Sequence, residues 1–178
     1  MRRASPLTAA LALVAACGGP ASGPDPAALP DGPILDPMAW RPAIAAEDPF
    51  EDRYADPGCS AGGYGVEGTI FEVETDLCAY LTATQPLPVD LPAGVTVETL
   101  VWHLALFATE PAQGHVALRI GEHMVFDQRV DIPGPEQVYP VTWTTPQDLP
   151  AGTQVYLHVH NHGYNSWRLG PTEVSAPP

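Results

Sequence analysis

From Cys59 onward the chain is broken into short β-branched and aromatic runs, bounded by Gly, Pro, Asp and Asn at spacings of 8 to 15 residues. That cadence suits strands and leaves little room for anything longer. No stretch carries the 3.6-residue apolar period of an amphipathic helix. Eight runs read as strands: 68–74, 78–84, 95–108, 115–120, 123–131, 137–144, 154–161 and 166–169. About eight strands joined by turn signals predict an all-β domain, an antiparallel β-sandwich of jelly-roll type.

A short internal echo sets the faces. Asp90-Leu91-Pro92-Ala93-Gly94 recurs as Asp148-Leu149-Pro150-Ala151-Gly152, each time just before a strong strand. In the second of those strands Val155, Leu157 and Val159 alternate with Tyr156, His158 and His160. One face is therefore apolar and core-directed, and the other carries the imidazoles. Aligning the echoes puts Val97, Thr99, Val101 and His103 on the matching core face, with Leu100, Trp102 and Leu104 opposite. The earlier strand thus reads as covered on both sides.

The first residues read as an address and not as part of the fold. Arg2-Arg3, about ten apolar residues and small residues before a cut site make a secretory signal, too short to stay in a bilayer as a spanning helix. Val14-Ala15-Ala16-Cys17 resembles the lipobox of bacterial lipoproteins, whose signal is removed ahead of a lipidated cysteine. The resemblance implies cleavage after residue 16, lipidation of Cys17 and a membrane held through the N-terminal lipid. Acyl chains at about 0.8 kcal/mol per buried methylene exceed what reversible attachment needs. Gly18 stands where an aspartate would imply retention in the inner membrane, so the expected location is the outer membrane, on its periplasmic face or the cell surface.

Residues 17–57 are rich in Pro, Ala and Asp and show no period, which predicts a disordered, extended tether. Met38, Trp40, Phe50 and Tyr54 in its later half leave two readings open, a segment packed along the domain and a short partner-binding motif. The predicted organisation is a signal peptide at 1–16, the linker at 17–57, the β-sandwich at 58–172 and a tail at 173–178. About 115 residues suit one domain with one core.

The chain carries 7 basic residues against 21 acidic ones, a net charge of −14 that becomes −16 once Arg2 and Arg3 are removed. Nucleic acid is excluded as a partner on that balance. With Cys17 lipidated, Cys59 and Cys78 remain as an even pair in an oxidising compartment and are predicted to form a disulfide.

His158-Val159-His160-Asn161-His162 holds half of the six histidines. Side chains at i and i+2 on a strand point the same way, about 7 Å apart, close enough for two imidazoles to converge on one metal. His158 and His162 lie about 13 Å apart by strand rise, so a site needs ligands from elsewhere, with His103, His115 and Met124 as candidates. Zinc or copper suits such a set. Gly152, five residues, then His158-x-His160 resembles the first half of the cupin metal motif, which implies a small jelly roll with an imidazole-held metal. Tyr164 and Asn165 occupy the place of that family's glutamate. The competing reading is structural: the imidazoles and amides organise a strand end and the turn at 161–165.

A separate class of function is carbohydrate binding through exposed aromatics. Trp102, Trp143, Trp167, Tyr156 and Tyr164 are available, and Trp167 beside Asn165, Ser166 and Arg168 is the aromatic expected to be exposed, giving Tyr164, Asn165 and Trp167 as candidate ligand residues. No nucleophile–base arrangement, phosphate-cradling loop or Gly-x-Ser-x-Gly elbow is present, so the sequence offers no support for catalysis. The sequence thus predicts a lipid-anchored extracytoplasmic β-sandwich acting as a binding or interaction module, with a protein or glycan partner left open.

Overall fold

The computed structural model describes residues 29–50 and 59–176. The predicted leader, Cys17 and Tyr54 lie outside the described residues. A short 3-10 helix, η1 (Pro37–Ala39), precedes strands β1 (Arg41–Pro42), β2 (Tyr64–Glu67), β3 (Ile70–Glu74), β4 (Tyr80–Pro86) and β5 (Thr96–His103). These are followed by β6 (Ala112–Ile120), β7 (His123–Ile132), β8 (Gln137–Thr144), β9 (Gln154–Asn161), β10 (Ser166–Leu169) and β11 (Glu173–Ser175).

One sheet, here sheet A, runs β1-β4-β9-β6-β7, and sheet B runs β11-β5-β10-β3-β2 with β8 also paired to β5. Strands β10 and β11 share one edge of β5, at Val101–His103 and Thr96–Glu98, and β8 pairs along the whole of β5. The eight strands predicted from sequence therefore form two layers, β3-β10-β5-β8 and β4-β9-β6-β7, all antiparallel. Among these eight, apart from the β6–β7 hairpin, each successive strand crosses to the other layer. This is the jelly-roll arrangement.

Alternation explains the core. Val155, Leu157 and Val159 of β9 face Val97 and Val101 of β5 and Trp167 and Leu169 of β10 across the sandwich, all of them buried. Phe71 and Val73 from β3 and Val116, Leu118 and Ile120 from β6 complete the layer. Cys59 and Cys78 are joined in a disulfide that closes the β2–β3 hairpin onto the start of β4.

The two echoed corners meet each other. Leu91 and Leu149 exchange backbone hydrogen bonds of 2.8 Å in both directions and are both buried. Gly94 and Gly152 end the corners with φ of 85° and 89°, the left-handed conformation that a side chain disfavours.

The predicted domain boundaries need correction at both ends. Ile34, Leu35, Trp40 and Phe50 are buried, and β1 pairs with Thr84 and Ala83 of β4, so the packed unit starts well before residue 58. Trp40 stacks obliquely on Phe71, with ring centroids 5.6 Å apart. Buried Gln85 fixes the segment by donating to the Asp36 carbonyl and accepting from the Asp36 amide. The Ile34 amide donates to the Thr172 carbonyl at 2.8 Å. At the other end Glu173–Ser175, predicted as tail, forms β11 on β5. A few anchoring side chains hold these segments, and such anchors leave no period in the sequence to read.

Candidate functional site

The outer face of sheet A carries the imidazoles, as the alternation of β9 requires. His158 and His160 pair across the sheet with Thr82 and Tyr80 on one side and with Ala117 and His115 on the other. Ring centroids lie 4.8 Å apart for His115 and His158 and 4.8 Å apart for His160 and His162. Four of the five predicted ligands, His115, His158, His160 and His162, are thus neighbours. His103 is not: it lies on β5 in the opposite sheet, buried against Trp167 at 4.5 Å between centroids. Met124 pairs with Arg119 beyond a bulge in β6–β7, away from the imidazoles.

These rings are engaged by protein. Phe50 stacks on His158 with centroids 4.2 Å apart and planes 16° from parallel, and Tyr80 meets the same ring edge-on. Asp48, two residues before Phe50, accepts from the Tyr80 hydroxyl at 2.6 Å and from Thr82 Oγ1 at 3.0 Å. Because the Thr82 hydrogen goes to Asp48, the 3.0 Å contact to His158 Nδ1 requires that nitrogen to donate. His115 Nε2 is 2.9 Å from Asp127 Oδ1. Among the described residues no group of three or more His, Cys, Asp or Glu is placed to hold a metal ion. His158 is fully buried beneath Phe50, and its Nδ1 is committed to Thr82, so that nitrogen is not offered to zinc or copper. What the cluster does is bond the 43–50 segment to the sheet.

The turn after β9 is structural as well. Asn161 is buried, donates to Thr75 Oγ1 at 3.0 Å and accepts from Trp167 Nε1 at 3.2 Å. Asn165 accepts from the Phe107 amide at 2.8 Å. Gly163 has φ of 144°, and a Cβ there would lie 2.3 Å from the Phe107 carbonyl oxygen. Trp167, predicted to be an exposed ligand platform, is 1% exposed and belongs to the core, because Trp167 and Leu169 share the inward face while Ser166 and Arg168 point out. Of the three predicted ligand residues only Tyr164 is exposed, at 65%.

The open surface lies on sheet B, on a strand read from sequence as covered on both sides. Leu100 is 47% exposed and Leu104 45%, with Trp102 partly exposed between them. On β8, Val138 stands opposite Trp102 and Pro140 opposite Leu100, both exposed. A groove of about 440 Å³ runs here, lined by Leu100, Trp102, Pro140, Thr142, Glu98 and Glu173 among others. The edge of the Trp102 ring lies against Gly170, where an added Cβ would come within 3.3 Å of it. Beyond Trp102, Arg168 is its register partner on β10, and its guanidinium pairs with Glu72 at 2.5 Å and reaches Glu67 at 3.8 Å. The groove therefore offers an indole, aliphatic walls, a hydroxyl and carboxylates. The sequence signal for it was the apolar set Leu100, Trp102 and Leu104 on the non-core face.

No protein-family model and no curated protein matches the chain. Among solved structures it is similar to a family 4 carbohydrate-binding module, CBM4, at 17% identity over 82% of this chain and 94% of that one, with a TM-score of 0.42. It is similar to the K1 cleaved adhesin domain of Lys-gingipain from Porphyromonas gingivalis W83 at 17% identity, over 80% of this chain and 93% of that one, with a TM-score of 0.41. A third similar structure, TmCBM61 in complex with beta-1,4-galactotriose, shares 13% identity over 82% of this chain and 99% of that one, with a TM-score of 0.41. The fold is a β-sandwich.

Proposed function

We propose that the chain is a lipid-anchored, extracytoplasmic glycan-binding module that takes its ligand on the outer face of sheet B. The observation that carries this reading is the Trp102 groove. An indole with exposed aliphatic neighbours accepts the apolar face of a sugar ring, and Thr142, Glu98 and Glu173 supply polar partners for its hydroxyls. Apolar residues on the non-core face of β5 are costly to leave in water, and a ligand that covers them repays that cost. The lipobox at residues 14–17 supports anchoring through Cys17, and Gly18 behind it supports an outer-membrane location.

The test of the ligand class is a glycan array probed with the full chain and with Trp102→Ala. Binding by the wild type and its loss in the variant, with unchanged thermal unfolding, is the expected result. Equal binding by both proteins would remove the groove from the function. Anchoring is tested by mass spectrometry of the N-terminal fragment from membranes, which should begin at Cys17 and carry acyl mass.

A further inference from the structure

Glu98 and Glu173 stand directly opposite each other across the β5–β11 pair, both exposed and both lining the Trp102 groove. Like charges at directly opposed positions of an antiparallel pair repel and weaken it. Neither carboxylate joins an ion pair or a side-chain hydrogen bond among the described residues. No residue lining the groove is basic. The base beside Trp102, Arg168, is held by Glu72 and Glu67 on the side away from β8. An apolar slot flanked by two uncompensated carboxylates is therefore built into the register of the sheet.

We infer that the groove selects a glycan bearing protonated amines, of the glucosamine-oligomer class, over its N-acetylated counterpart, and rejects uronate chains. The inference rests on the glycan reading above and adds the charge that the ligand must carry. A sugar ring laid against Trp102 and Leu100 puts an equatorial substituent toward the strand pair, where an ammonium satisfies both carboxylates with charge-assisted hydrogen bonds. Acetylation removes that charge and leaves the carboxylates facing each other. A uronate adds a third negative charge to the slot. The same ammonium is attracted by the indole face. A basic peptide would also satisfy the carboxylates, and titration with oligolysine separates that case from a sugar.

The experiment is calorimetric titration of the full chain with glucosamine, N-acetylglucosamine and galacturonate oligomers of equal length, and with an oligolysine. Mildly acidic buffer keeps the amines protonated. The expected result is glucosamine-oligomer binding about tenfold tighter than that of the N-acetylated oligomer, no galacturonate binding, and a preference that shrinks with salt. In Glu98→Gln/Glu173→Gln the ratio should fall to about one. Equal affinity for the two glucosamine oligomers in the wild type, both lost in Trp102→Ala, would overturn the charge selection and leave the glycan reading standing. Failure to bind any oligosaccharide, with or without binding of oligolysine, would overturn both.

Discussion

Asp90 and Asp148 cap each other's corners: Asp90 Oδ1 accepts from the Ala151 amide at 2.7 Å, and Asp148 Oδ1 accepts from the Ala93 amide at 2.8 Å. The repeated pentapeptide is thus a matched pair, with the Leu91–Leu149 backbone bridge at its centre. Each carboxylate satisfies an amide that the turn would otherwise leave to water. Asp90→Ala and Asp148→Ala should each cost about 1 kcal/mol in urea unfolding, while the Asn variants, which keep an acceptor, should cost less. Equal losses for Ala and Asn would mean that the carboxylates act by charge alone.

Trp167 fills the centre of the sandwich and donates to buried Asn161, so Trp167→Ala should lower stability by about 4 kcal/mol. Trp102→Ala, on the open face, should cost far less. Urea unfolding of the two variants checks the assignment of one tryptophan to the core and the other to the surface, and a reversed order would contradict it.

His103 gives the fold a dependence on pH. Burial lowers its pKa below 6.5, with the hydrogen bond to the Leu104 carbonyl opposing the shift. Its Nδ1 donates to that carbonyl at 2.7 Å, and the neutral Nε2 accepts from the Tyr139 hydroxyl at 3.2 Å. Between the lowered native value and 6.5 the unfolded chain holds a proton that the native state refuses, so stability rises with pH. The contribution is complete above 6.5 and is lost as the pH falls through 6.5 to the native pKa. Melting temperatures from about pH 8 to about pH 5 should fall on acidification, and less steeply in His103→Gln. An unchanged slope in the variant would assign the effect to other groups.

The Cys59–Cys78 bridge spans 19 residues and should contribute about 3 kcal/mol through the entropy of the unfolded chain. Unfolding of the double serine variant measures it directly. Labelling of the unreduced, unfolded protein should find neither of these thiols free.

Much of the sandwich was legible because the strands from β3 to β10 are short β-branched and aromatic runs punctuated by Gly and Pro, and β3, β5 and β10 alternate in burial along their length. The strand predicted at 137–144 coincides with β8, and that at 154–161 with β9. The pairing of Trp167 with Leu169 also carried the signal for its burial, but the polar neighbours Asn165, Ser166 and Arg168 suggested a surface. Residues 29–50 were legible only in part: Trp40 and Phe50 left a packed segment open as one of two readings, but Ile34, Leu35, Trp40 and Phe50 anchor it singly and without period. The imidazole run was correctly placed on the non-core face of β9. What sequence could not supply was Phe50 lying over it, a contact between residues more than a hundred positions apart.

The hydrogen bond from the Ile34 amide to the Thr172 carbonyl ties the entering chain to the segment between β10 and β11. Tension applied at residue 29 would reach this contact, and the buried side chains of Ile34, Leu35 and Trp40, before it reached any long strand of the jelly roll. Under load the N-terminal segment would therefore peel ahead of the sandwich, whose strands would bear the pull only after it had come away.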